Sequence, residues 1–241
     1  MTSVFTYIAA EANDDASFFT LGYKIYGSKI RICANFIGGY IYYTVRLQFP
    51  CLAAVSLCIL VNRYSLLFNN INKDLNDETL FFTFAKYSKL VSDYHNIENK
   101  IDALKETLSV PLFFMMLSGF FNLYTVLSVC LQPNLFAISA TLLVEMGSNA
   151  FTGVVLISSP TIYCSKIPEC MSKIKITLRK LIDRLRLRHL ERVREICLLE
   201  RMEKHDIIYL TACKMVDFKT SLLLSSFGSL FTYGLLVLNL K

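Results

Sequence analysis

Charged residues are scarce in this sequence, and their scarcity excludes an ordinary soluble domain. Only 18% of the 241 residues are Asp, Glu, Lys or Arg, whereas a soluble domain carries about 25%. Hydrophobic residues make up 54% of the chain, and the mean hydropathy is +0.45. The apolar residues gather in blocks long enough to cross a bilayer, which takes roughly 20 helical residues. The composition therefore predicts an all-α, polytopic helical membrane protein with about four transmembrane helices and long cytoplasmic helical extensions.

The sequence also lacks the motifs that carry catalysis or bind a metal. No HExxH, GxSxG or P-loop pattern occurs, and the eight cysteines form no CxxC pair and no Cys/His spacing typical of a metal site. The three histidines, His95, His189 and His205, all fall in polar segments. Asp206 follows His205, but neighbouring helical residues point about 100° apart and cannot act as a pair. We therefore expect no enzyme activity, no metal and no cofactor.

Four apolar blocks are predicted to be membrane spans. They cover residues 47–68, 110–131, 135–164 and 220–240. Residues 1–46 form an extracellular or interfacial segment, within which 30–45 is either a residual span or an extension of the next helix. In residues 69–107, apolar side chains recur at three- and four-residue steps, which predicts a cytoplasmic amphipathic helix. The same periodicity in residues 166–219 predicts a cytoplasmic basic helical region.

The distribution of basic residues predicts the orientation of the chain. Residues 166–219 hold 14 of the 25 Lys and Arg residues against eight acids, and the positive-inside rule places such a segment in the cytoplasm. Alternation then puts the turn at 132–134 and the carboxyl terminus outside, as in a multi-pass protein of the cell membrane. Residues 1–10 lack the basic start of a signal peptide, so the first span is expected to direct insertion. The net charge of +6 reflects basic residues beside the spans, and we expect no nucleic-acid partner.

The final span carries a family resemblance. It contains Thr232 and Tyr233, then five mostly apolar residues, then Asn239 and Leu240. This pattern resembles the signature of arthropod gustatory receptors, which is Thr-Tyr, five residues and Gln-Phe close to the end of the protein. The preceding stretch LTACKMVDFKTSLLL is also similar to that family. So is the order of amphipathic helix, span, turn, span, basic helix and last span. Asn for Gln and Leu for Phe are the two departures within the motif.

The resemblance implies a chemosensory function. Gustatory receptors, like the related odorant receptors, are ligand-gated cation channels built as tetramers, with the last helix of each subunit lining the pore. The resemblance implies that the partners are the lipid bilayer, other chemoreceptor subunits in a homo- or hetero-tetramer, and a small-molecule tastant. The family has seven helices and only the last four have counterparts here, which is the pattern of a truncated form with an incomplete ligand pocket. The alternative is a non-sensing four-span membrane scaffold or accessory subunit.

A stripe on the last span is the candidate pore lining. Its members follow steps of four and three residues and therefore share one helical face, with Leu240 on the adjoining edge. Given the resemblance, the apolar end of the stripe is the expected gate. The alternative is that its small residues allow close helix packing. The stripe consists of Ser225, Ser229, Thr232, Leu236 and Asn239.

Two further candidates lie outside the last span. Glu145 is the sole charge of its span, and charge inside a membrane is costly, so it should face protein or water. It belongs either to a ligand or ion site or to an interhelical hydrogen bond. Leu178, Leu181 and Leu185 form an apolar stripe on the basic helix and are the candidate oligomer interface. The alternative is a helix that lies on anionic lipid.

Overall fold

The computed structural model describes residues 28–76, 84–131, 140–188 and 193–239, and these residues are almost entirely helical. The predicted all-α class is confirmed for them. A five-residue π-helical stretch, Thr44–Gln48, joins the first two helices. A two-stranded antiparallel ladder of β1 (Thr211–Ala212) and β2 (Val216–Asp217) precedes the last helix. The helices are α1 (Ser28–Tyr43), α2 (Phe49–Asn76), α3 (Phe84–Cys130), α4 (Ala140–Arg188), α5 (Val193–Lys204) and α6 (Thr220–Asn239).

Three helical segments are long and apolar enough to cross a membrane. They are Phe36–Asn76, Phe84–Cys130 and Leu142–Leu187. A fourth apolar segment, Thr220–Leu236, is shorter. Three of the four predicted spans therefore have the length and composition of a crossing helix, and the crossing of α6 stays a prediction.

The long helices run through the borders that the sequence suggested. Residues 69–76 belong to α2, whereas 84–107 and the span at 110–131 form the single 47-residue helix α3. The described part of the span at 135–164, from Ala140 onward, and the start of the basic region likewise share the 49-residue α4. A change in side-chain polarity does not interrupt backbone hydrogen bonds, so the helix continues across it. The turn predicted at 132–134 lies outside the described residues.

Residues 30–45 are helical and continuous with α2 rather than a separate element. The junction is the π-helical stretch, where the N–H of Phe49 donates to the carbonyl of Thr44, five residues back. Pro50 follows directly, and proline has no N–H and crowds the carbonyl four residues before it. A widened turn relieves that crowding and lets the helix continue.

The helices divide into two halves along their length. The apolar half comprises residues 28–60, 110–131, 142–163 and 220–239, and the charged half comprises 61–76, 84–109, 164–188 and 193–219. Most of the buried apolar side chains lie in the charged half, where α2, α3 and α4 meet. At its centre the rings of Phe68 and Tyr94 lie 5.6 Å apart. The core is therefore in the half that also carries most of the charges.

Polar contacts fix the directions of α2 and α4. The hydroxyl of Ser65 and the thiol of Cys170 lie 3.3 Å apart, and the hydroxyl of Thr177 donates to Oδ1 of Asn72 over 2.8 Å. Both contacts advance in the same direction along the two helices, so α2 and α4 run parallel. Gly119 of α3 lies beside Ile157 of α4, and Leu123 lies beside Gly153, so α3 and α4 run antiparallel. The three long helices therefore alternate in direction, as consecutive crossings would require.

Two glycines allow α3 and α4 to approach closely in the apolar half. A Cβ atom on Gly153 would lie 2.7 Å from Leu123 and 2.9 Å from the carbonyl oxygen of Gly119. A Cβ atom on Gly119 would lie 2.8 Å from Ile157. Small residues at helix crossings are typical of membrane helices, where backbone contact replaces hydrophobic burial.

The predicted helical region 166–219 does not stay helical to its end. Residues 206–210 are not helical, and Thr211–Ala212 pairs with Val216–Asp217 in the antiparallel ladder. Cys213 and Lys214 have φ of 49° and 58°, and the N–H of Met215 donates to the carbonyl of Ala212 over 2.9 Å. Two consecutive residues of positive φ are typical of the turns that join hairpin strands. The helix prediction is therefore wrong for these residues, because the hairpin turns the chain from α5 into α6.

Candidate functional site

The last helix, α6, is packed against its own chain along one face only. Ser226 is buried, and a Cβ atom on the buried Gly234 would lie 3.4 Å from the side chain of Leu127 on α3. The hairpin that leads into α6 is fastened to α3 as well, because the N–H of Cys213 donates to the carbonyl of Ser109 over 3.0 Å. The helix is therefore held at its start and along the face that carries Ser226 and Gly234.

The predicted pore stripe lies on a different face of α6, and every described member is exposed. The hydroxyls of Ser229 and Thr232 donate to the carbonyls of Ser225 and Gly228 over 2.9 Å each, so neither needs a partner from another helix. Leu236 is 54% exposed. Within the described chain α6 packs through Ser226 and Gly234 rather than through the stripe, and the alternative that the small residues of the stripe allow close helix packing stays a prediction. Leu240, the last residue of the family motif, lies outside the described residues.

Tyr233, the tyrosine of the family motif, makes a specific contact with α3. The hydroxyl oxygens of Tyr233 and Tyr124 lie 2.7 Å apart, and the centroids of the two rings are 5.1 Å apart. This pair joins the carboxyl-terminal parts of α6 and α3. Thr232 and Tyr233 therefore differ in what they contact, because Thr232 faces outward in the stripe while Tyr233 bonds to the neighbouring helix.

Glu145 is half-buried on α4. Tyr43, at the end of α1, is in its neighbourhood. The expectation that Glu145 faces protein or water stays a prediction, as does the choice between an interhelical contact and a ligand or ion site.

The three candidate interface leucines lie in the core of the chain. Leu178 and Leu185 are buried, with 0% and 8% exposure, and Leu181 is partly buried against the same cluster. The expectation that this stripe forms an oligomer interface is therefore corrected, because α2, α3 and α5 already cover it. Helical periodicity had identified the buried face correctly but not what buries it.

Helix α5 is also joined to α4 by ion pairs. Nε of Arg179 lies 2.6 Å from Oε1 of Glu203, and Arg186 pairs with Glu200. Leu199 and Met202 of α5 are buried. The apolar contact does most of the stabilising, since exposed ion pairs contribute only about 0–1 kcal/mol.

The structure also assembles a cluster that no pattern in the sequence predicts. Nδ1 of His95 and Nδ1 of His205 each lie 3.2 Å from an oxygen of Glu98. The carboxylate is buried, with 6% exposure. The His95 and His205 rings meet edge to face at 5.6 Å. Burial and, second, the charge of Glu98 raise the pKa of the neighbouring Tyr94 phenol. His95 and Glu98 are one turn apart on α3, but His205 is distant in sequence, so no spacing motif could reveal the group.

Comparison with known proteins adds no relative. No protein-family model matches the chain, and no curated protein matches it. The resemblance to gustatory receptors therefore rests on the final-helix motif and on the order of the elements, and the function that it implies is a proposal.

Proposed function

We propose that this protein is a gustatory-receptor-like chemosensory subunit of a ligand-gated cation channel. The observation that carries the proposal is the exposed polar stripe of α6. Ser225, Ser229 and Thr232 are all exposed in the described chain. In a single subunit this face would meet lipid, whereas in a symmetric ring of subunits it would face the central axis.

The three faces of α6 differ in a way that supports this assignment. One face packs on the chain at Ser226 and Gly234. A second presents the exposed Leu224 and Phe231, which suit lipid. The third is the stripe, the most polar of the three. A helix that only met lipid around its free side would have no need for two chemically distinct free faces.

Leu236 is the residue that we assign to the closed gate. It is the large apolar member of an otherwise small and polar stripe. A ring of such side chains, one from each subunit, can close a pore by excluding water. The family resemblance places the gate at this end of the helix, and the predicted orientation makes that end extracellular.

The test compares two neighbouring leucines. L236S should place hydroxyls in the closed ring and raise the whole-cell current without ligand, at matched surface expression, in cells supplying any partner subunit. L235S is the control, because Leu235 has a similar exposure of 47% but points about 100° away from Leu236, on the side of Phe231. Leu222 is less suitable as a control, because it packs against the core.

The outcomes separate the two functional classes. A leak in L236S and none in L235S supports the channel. Equal baseline currents in both variants and the wild type, with oligomers still recovered by cross-linking, would favour the scaffold or accessory-subunit alternative. Loss of oligomers in L236S alone would assign the stripe to packing between subunits.

A further inference from the structure

The cluster of His95, Glu98 and His205 lies where α3 meets the end of α5. His205 follows Lys204, the last residue of α5, and precedes the strand-like segment that leads to the hairpin. The group therefore joins the charged half of α3 to the connection that enters α6. Any ligand that drew these side chains together would fasten that connection.

The carboxylate of Glu98 is buried between the imidazoles of His95 and His205. Both carboxylate oxygens face a histidine Nδ1 atom, and the side chain is 7% exposed. A buried carboxylate is costly unless a cation or a metal balances it. A divalent ion held by the three side chains would supply that balance directly.

The chemistry and spacing of the three donors suit zinc. Imidazole nitrogens and a carboxylate oxygen are common zinc ligands, bound at about 2.0–2.2 Å, so neighbouring donors of a tetrahedral site lie roughly 3.3–3.5 Å apart. Each histidine nitrogen is 3.2 Å from the nearest Glu98 oxygen, and the ligand atoms of all three residues lie within 4.8 Å of one another. A modest inward rotation of the two imidazoles would place the three donor atoms at three corners of a tetrahedron, and a water molecule would occupy the fourth corner.

We propose that His95, Glu98 and His205 form a binding site for a divalent ion of the zinc type. Glu98 lies at its base, and the two histidines form its rim, with side-chain exposures of 57% and 35%. The exposed rim gives an ion a path from the solvent. The bound ion would tie the α5–hairpin connection to α3 and so fix the start of α6. This proposal does not depend on the channel proposal.

The experiment uses the full chain, purified in detergent without an affinity tag and treated with chelator. Titration with Co²⁺ should give the visible absorption of a four-coordinate nitrogen and oxygen site at one equivalent, and Zn²⁺ should displace it. A thiolate charge-transfer band would instead assign the metal to cysteines and overturn the proposal. Absence of any Co²⁺ absorption would overturn it too, in favour of a metal-free His–Glu–His hydrogen-bonded clamp.

Isosteric variants locate the site. E98Q and H205Q should each weaken Zn²⁺ binding at least about tenfold, since even outer-shell partners of zinc ligands cost 10–100-fold. D102N, an exposed acid one turn further along α3, and H189Q should bind as the wild type does. If E98Q fails to fold, H95Q carries the same comparison, because His95 lies at the exposed rim. The site would be refuted if a folded variant of the cluster, E98Q, H205Q or H95Q, bound Zn²⁺ with the affinity of the wild type.

Discussion

The two halves of this protein are held together in opposite ways. The charged half contains most of the large buried side chains, among them Phe68, Tyr94 and Leu178. The apolar half instead exposes large side chains such as Phe49 and Phe151. Its interior holds a few large apolar side chains, such as Leu156 and Ile157, beside a larger share of small or polar residues. The small or polar residues include Gly119, Asn122, Asn149, Thr152, Gly153 and Ser226.

The contrast follows from the solvent that each half is expected to meet. In water, burial of apolar side chains drives packing, so the amphipathic helices of the charged half pack with their apolar faces inward. In lipid, burial of a leucine gains little, because the acyl chains are equally apolar. Close backbone approach and hydrogen bonds then hold helices together. The location of the hydrophobic core is thus the reverse of the hydropathy profile.

The largest expected effect is in the charged half. L178A removes most of a fully buried side chain and should lower the free energy of unfolding by about 2–5 kcal/mol. L187A is the control on the same helix, because Leu187 is 87% exposed and should cost less than about 0.5 kcal/mol. Thermal unfolding can be followed with a thiol-reactive fluorogenic dye, since Cys58, Cys164 and Cys170 are buried. Similar melting temperatures for both variants would place the core elsewhere.

An intermediate effect is expected where α3 and α4 cross in the apolar half. G153A would put a Cβ atom 2.9 Å from the carbonyl oxygen of Gly119. It should destabilise the protein by about 1–3 kcal/mol through overpacking. G147A has no atom within 4 Å of the new Cβ and should be neutral or up to about 1 kcal/mol stabilising, since alanine favours a helix. The same dye assay measures both, and equal melting temperatures would mean that the helices do not touch at this point.

The smallest effect is expected for the tyrosine pair that joins α6 to α3. Y124F and Y233F each remove one hydroxyl of the 2.7 Å contact and should lower the melting temperature less than either variant above, because the pair is exposed. A double-mutant cycle in the dye assay isolates the interaction, because the double variant should then cost less than the sum of the single variants. Strict additivity would show that the two hydroxyls do not interact, and that α6 is attached through its backbone and small residues alone.

The sequence was a good guide to local structure and a poor one to what each helix contacts. Apolar periodicity located the buried face of the basic helix at Leu178, Leu181 and Leu185, but the partners proved to be helices of the same chain. Helix borders were misplaced where only the polarity of the side chains changes. On α3, for example, the helix continues through the border predicted at residues 107–110. The hairpin was missed because its two strands have two residues each, which is too short to stand out against a helical background.

What the sequence by itself determined is the all-α class, three apolar segments of membrane-crossing length and the shared face of the α6 stripe. These depend on hydropathy and on the 3.6-residue period, which are local properties. Only the tertiary structure decided that α6 packs on Ser226 and Gly234, so that its polar stripe is left free. It alone brought His205 to Glu98, across 107 positions of the chain. Such contacts depend on how whole helices are placed against one another, and no local pattern in the sequence records that placement.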